Sequence, residues 1–166
     1  MNLSRLSVWW FIQWIHYLAL TIWIGGIVVF SAVVAPVIHR SMVSKALAGE
    51  IAGSILKRLN LVEVFCFLLL IATSFSASVF ISGDLKALWY LIFSVMMMGI
   101  LTAYYAFHLT PRMKSLREKI PALDELLESN PAKVEFDRLH RIYVKLMSLN
   151  LVIGLAVLYG SVVFLK

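Results

Sequence analysis

Residues 8–37 read VWWFIQWIHYLALTIWIGGIVVFSAVVAPV, with no Asp, Glu, Lys or Arg among them. A helix needs about 20 apolar residues to cross a bilayer, so this stretch is long enough to span one. The apolar core of a signal peptide runs only about 7–15 residues. Although Arg5 precedes it, the stretch is therefore expected to be a retained first helix. Three further runs have the same character: Leu61–Ile81, Ala87–Leu109 and Leu146–Leu165, the last on a helix expected to start near Val134. All are too long for strands and lack period-two alternation. The expected fold class is all-α, an integral membrane four-helix bundle with cytoplasmic helical connections, forming one domain over residues 1–166.

Composition agrees with that reading. Apolar residues make up 61% of the chain and charged residues 14%, with a mean hydropathy of +0.90. Soluble domains run about 45–50% apolar and about 25% charged, so an ordinary soluble domain and a disordered chain are both excluded. In a chain with four spans, the net charge of +6 reflects basic loops rather than a nucleic-acid partner. The single cysteine, Cys66, excludes an intrachain disulfide and any CxxC chemistry. Its place inside an apolar run reads as a buried structural thiol.

Loop charge sets the expected orientation. Segments 38–60 and 110–145 hold twelve of the fifteen Lys and Arg residues, and Arg5, Lys86 and Lys166 are the other three. The positive-inside rule places both segments in the cytoplasm and both termini outside, in the inner (plasma) membrane of a bacterium. Trp9, Trp10, Trp14, Trp89, Tyr90 and Tyr159 are expected to form an outer aromatic belt, and Tyr104, Tyr105 and Tyr143 an inner one. Residues 82–86 are too short for anything but a tight hairpin. Ala122–Ser129 reads as a short acidic helical piece between Pro121 and Pro131. Ala46, Gly49 and Gly53 form a small-residue stripe suited to close packing.

Polar residues inside a span need partners. His16 shares a helix face with Trp23 and Gly26, at the depth of Thr73, Ser74, Ser76 and Ser78 on the second span. Two readings stand for it: a neutral histidine bonded to one of those hydroxyls, or a ligand or proton-relay group. At the inner interface, His39, Glu63, His108 and His140 fall near one membrane plane. They read either as solvated groups paired with Arg112 and Arg141, or as a His/Glu binding site. Asn150 lies about one turn into the apolar core, so its amide must point into the bundle. Met96, Met97 and Met98 spread over about 200° of helix and read as gap fillers rather than a copper site. Haem held by two histidines needs both at one depth, and His16 has no histidine partner there. No HExxH, phosphate-binding glycine loop or nucleophile–histidine spacing occurs.

Two stretches carry a family resemblance: His16 through Trp23, Gly25 and Gly26 with Val34-Ala35-Pro36 after them, and Phe136 through His140 with Asn150 further on. Together with the Pro111-Arg112 exit of the third span, they resemble the transmembrane protein 205-like family, a four-helix membrane domain of unknown function. The first stretch also resembles the copper-resistance protein D domain and, more loosely, the haem-dependent membrane protoporphyrinogen oxidase. Here Tyr143 stands where many family members have a serine. The resemblance implies a fold and a membrane location but no reaction. Physically, Gly25 and Gly26 would let another helix approach beside Trp23, and Pro36 would end or bend the first helix before His39.

The leading expectation is a non-enzymatic membrane protein that binds a ligand, a metal or a partner subunit, at the inner His/Glu cluster. A redox protein carrying haem b is the alternative. Transport is weakened by the small path that four helices offer, and would need a homo-oligomer.

Overall fold

The computed structural model describes residues 3–42, 44–80, 85–120 and 130–164. Among these there are only helices: α1 (Leu3–Val29), α2 (Ala35–Ser41), α3 (Lys45–Phe80), α4 (Leu85–Tyr104), α5 (Thr110–Lys119) and α6 (Pro131–Phe164). Short π-helical turns, Phe30–Val34 and Tyr105–Leu109, join α1 to α2 and α4 to α5. Four rods result, and each contains a stretch long and apolar enough to cross a membrane. The expected tight hairpin at 82–86 falls largely outside the described residues, and the acidic piece Ala122–Ser129 falls entirely outside them.

The rods pack as a closed ring: α1 against α3, α3 against α4, α4 against α6, and α6 back against α1. Only about a third of each apolar span is buried inside the bundle. Large side chains such as Trp10, Phe11, Phe65, Phe93 and Val152 face outward. A water-soluble monomer does not carry so much apolar surface, whereas lipid covers it without cost. The environment this surface fits is a bilayer. At about 1.5 Å per residue, α3 is longer than a hydrocarbon core of about 30 Å. Its first turns therefore extend past the core at the end where α2 and α5 lie, called here the basic end.

Pro36 was expected to end or bend the first helix, and it does not end it. A proline lacks the N–H for the helix ladder, and its ring meets the carbonyl four residues back. The π turn at Phe30–Val34 lies immediately before it, and both flanking residues, Val29 and Ala35, stay right-handed helical. The wider turn absorbs the misfit, and the helix runs on through His39 to Ser41 before Met42 turns extended. Pro111 repeats the arrangement after Tyr105–Leu109. There the Thr110 hydroxyl donates to the Tyr105 carbonyl at 2.9 Å. Pro131 instead opens α6. Asn130 caps that helix, its Oδ1 accepting from the Ala132 N–H at 3.0 Å, as the N-cap rule anticipates for Asn followed by Pro.

The aromatic belts need one correction. Trp10, Trp14, Trp89, Tyr90 and Tyr159 are exposed at the end carrying the termini, as an outer belt requires, while Trp9 is buried. Of the expected inner belt only Tyr104 faces outward; Tyr105 and Tyr143 are core residues. Met98 fills the core while Met96 and Met97 face out, as their angular spread requires. Cys66 is a free, buried thiol.

Candidate functional site

Two polar centres lie inside the bundle. The first is His16. Its Nδ1 lies 2.8 Å from Thr73 Oγ1 on α3, and its Nε2 lies 3.0 Å from Ser161 Oγ on α6. The Thr73 partner was anticipated; Ser161 was not. Both hydroxyls also reach carbonyls of their own helices, Thr73 to Leu69 and Leu70 and Ser161 to Val157. A neutral imidazole donates from one nitrogen and accepts at the other, so one of the two hydroxyls turns its hydrogen toward the ring. The neighbouring Tyr17 hydroxyl donates to the Ser161 carbonyl at 3.1 Å. His16 thus ties three helices with both ring nitrogens in use. Ser74, beside Thr73, is buried with its hydroxyl unpartnered.

The second centre is Glu63, in the middle of α3 and 1% exposed. The Tyr105 hydroxyl donates to its Oε2 at 2.5 Å. Tyr105 sits on the π turn, and its hydrogen is committed to Glu63, so the 2.9 Å contact with Thr102 is donated by Thr102. Asn150 on α6, fully buried, supplies its amide nitrogen to Thr102 Oγ1 at 2.9 Å, to the Tyr105 hydroxyl at 3.0 Å and to the Met98 carbonyl at 3.4 Å. Hydrogens therefore run one way, from Asn150 through Thr102 and Tyr105 to the carboxyl. Beside this chain the Tyr143 ring packs on Tyr105, with centroids 5.0 Å apart, and its hydroxyl donates to Asn60 Oδ1 at 3.1 Å.

The chain leaves two oxygens unused. Glu63 Oε1 and Asn150 Oδ1 are both buried with no hydrogen-bond partner. Each belongs to a group already bonded to the Tyr105 hydroxyl, so both lie close around that hydroxyl. The Trp23 indole N–H is a third unpartnered buried group. His16 meets Thr73 and Gly26 lies against Leu59, so the antiparallel register of α1 and α3 puts Trp23 between those levels, near that of Glu63. Buried polar groups in native proteins are almost always paired, which makes this orphan set the most unusual feature of the interior.

The other residues singled out from the sequence lie elsewhere. His39, His108 and His140 are exposed. His108 stacks on Tyr104 and His140 on Phe136. All three sit on outward faces, and the register that pairs His16 with Thr73 and Gly26 with Leu59 carries His39 well past the level of Glu63, so the interfacial His/Glu set is not assembled. Among the described residues no three His, Cys, Asp or Glu side chains could hold one metal ion. Haem ligation by His16 does not fit either, because it would require breaking one of two buried hydrogen bonds. Arg112 makes an exposed ion pair with Glu135 at 3.8 Å, of a kind worth little to stability. A Cβ on Gly26 would meet Leu59 Cδ1 at 2.7 Å, while Gly25 has open space, so of this pair it is Gly26 that lies against a side chain of α3. Gly49, from the small-residue stripe, accommodates the Arg117 side chain rather than a helix backbone. Arg117 also lies over the Phe136 ring, 4.8 Å from its centroid. Sequence reading missed that clamp of α3, α5 and α6.

Four apolar rods ringed round a buried polar centre define a helical membrane protein. The chain belongs to the DUF4149 family, a domain of unknown function, whose family model matches residues 18–122. That match takes in Trp23, Glu63, Thr102 and Tyr105 but not His16, Tyr143 or Asn150. It lends no support to the transmembrane protein 205-like or copper-resistance protein D resemblance. No curated protein and no solved structure matches the chain.

Proposed function

We propose that the chain is a non-enzymatic integral membrane protein whose ligand is a small hard cation, sodium in the first instance, bound at the Glu63–Asn150 centre. One observation carries this reading: a 1% exposed carboxyl has one oxygen bonded and the other free. A bare carboxylate in hydrocarbon is costly. Glu63 makes no ion pair among the described residues, so a mobile cation is the natural counter-charge. The free atoms are a carboxylate oxygen and an amide oxygen, with hydroxyl oxygens beside them. Such donors suit alkali and alkaline-earth ions, whereas zinc and copper favour nitrogen and sulfur. A water carried in with the ion would accept from the Trp23 indole. Relative to the expected interfacial site, Glu63 remains and the exposed histidines drop out.

Melting of the purified protein in detergent tests the reading. Sodium chloride should raise the melting temperature above that in choline chloride of equal ionic strength, and Glu63→Gln should remove the difference. A folded wild type that melts identically in both salts would overturn the proposal.

The orientation, with both termini outside and segments 38–60 and 110–145 in the cytoplasm, rests on the twelve basic residues there. A Cys66→Ser, Ser129→Cys variant should resist a membrane-impermeant thiol reagent in intact cells. Its labelling from outside would reverse the assignment.

A further inference from the structure

At the basic end, a groove of about 270 Å³ opens between α3 and the junction of α4 with α5. Its walls include Asn60, Leu61, Val64 and Phe107, and Lys57 and Lys114 stand at its rim. The groove has a local cause. Pro111 cannot close a helix hydrogen bond, and the π turn before it widens the rod, so the junction does not press flat on α3. Its flanks, Leu61 and Phe107, are 61% and 69% exposed, so the groove is open sideways to the surrounding hydrocarbon. Lys57 makes no ion pair among the described residues, and Lys114 has only an exposed 3.4 Å pair with Glu118 one turn on.

We propose that this groove seats one anionic phospholipid, its phosphate between Lys57 and Lys114 and an acyl chain along Leu61, Val64 and Phe107. Charge and polarity together choose the occupant. Two lysines at the headgroup level call for a negative group, and basic pockets between helices at that level are where anionic headgroups bind. The apolar wall beneath them offers nothing to a free phosphate ion but matches a hydrocarbon chain. The lysine stems can lie along that wall with their ammonium groups at the interface. This inference is independent of cation binding at Glu63.

Native mass spectrometry of the detergent-solubilised protein tests it, with phosphatidylglycerol, phosphatidylcholine and inorganic phosphate as separate additions. Phosphatidylglycerol should give a one-lipid adduct at concentrations where the other two give none. Lys57→Gln and Lys114→Gln should each weaken that adduct roughly five-fold, and Lys145→Gln, an exposed lysine outside the groove, should leave it unchanged. Both groove lysines are exposed, so melting of the double variant in phosphatidylcholine should match wild type and show that it is folded. Equal adducts with phosphatidylcholine would overturn the proposal, as would adducts with phosphate alone or equal losses from Lys145→Gln. A double variant that changed oligomeric state without changing lipid adducts would assign the groove to a second copy of the chain and also overturn it.

Discussion

The bundle buries polar side chains at two levels, and it finishes them differently. At the His16 level, one ring on α1 meets a hydroxyl on α3 and another on α6, and both ring nitrogens are used. At the Glu63 level, three residues from two helices direct their hydrogens toward one carboxyl, and two oxygens are left over. The His16 ring is fully partnered by protein, and the Ser74 hydroxyl beside Thr73 stays open. The Glu63 level leaves two oxygens open, which the proposed cation would fill. A buried hydrogen bond that is fully made contributes modestly to stability, whereas an unmade one costs the desolvation of the group. Among the described residues, the open oxygens are a carboxyl and an amide oxygen at one level and only the Ser74 hydroxyl at the other, so a cation is expected to stabilise the chain through the Glu63 level alone.

Substitutions can break that contrast. His16→Ala should have the largest effect on stability, about 2–4 kcal/mol, because it opens a cavity and removes both inter-helix bonds. Sodium should still raise the melting temperature of this variant. A loss of sodium dependence in His16→Ala would mean that the two levels act as one site. Tyr105→Phe should cost less, about 1–3 kcal/mol, since Asn150 and Thr102 keep each other while Glu63 loses the hydroxyl that donates to its Oε2. Here the sodium dependence should disappear. If the variant kept it, the hydroxyl would have no part in holding the carboxyl. Glu63→Gln should change stability least, by about 1 kcal/mol or less in choline chloride. Its carbonyl can still accept from Tyr105, and it carries no charge to be buried.

Much of the architecture was legible in the sequence, because a bilayer demands long uncharged runs and residues 8–37 satisfy that demand almost alone. The helix course at the prolines was not legible. Pro36 and Pro111 carry the ordinary signal for a break, and a π turn that carries the helix past them has no signature of its own. In the site, the inward direction of Asn150 followed from its depth, and Thr73 from its level beside His16. Tyr105 and Tyr143 were misassigned because an interfacial tyrosine and a core tyrosine look the same in sequence. Position along the chain did not place the histidines inside the bundle: His108 lies one turn from exposed Tyr104 on the same outward face. Arg117 was missed because Gly49 and Phe136, which hold it, are distant in sequence.

Equilibrium binding of radiolabelled sodium to the purified wild-type protein and to Glu63→Gln tests the cation centre most directly. Saturable binding of one ion per wild-type chain, competed by unlabelled sodium but not by choline and absent from a folded Glu63→Gln, is the predicted result. No saturable binding by the folded wild type, or equal binding by the variant, would contradict it.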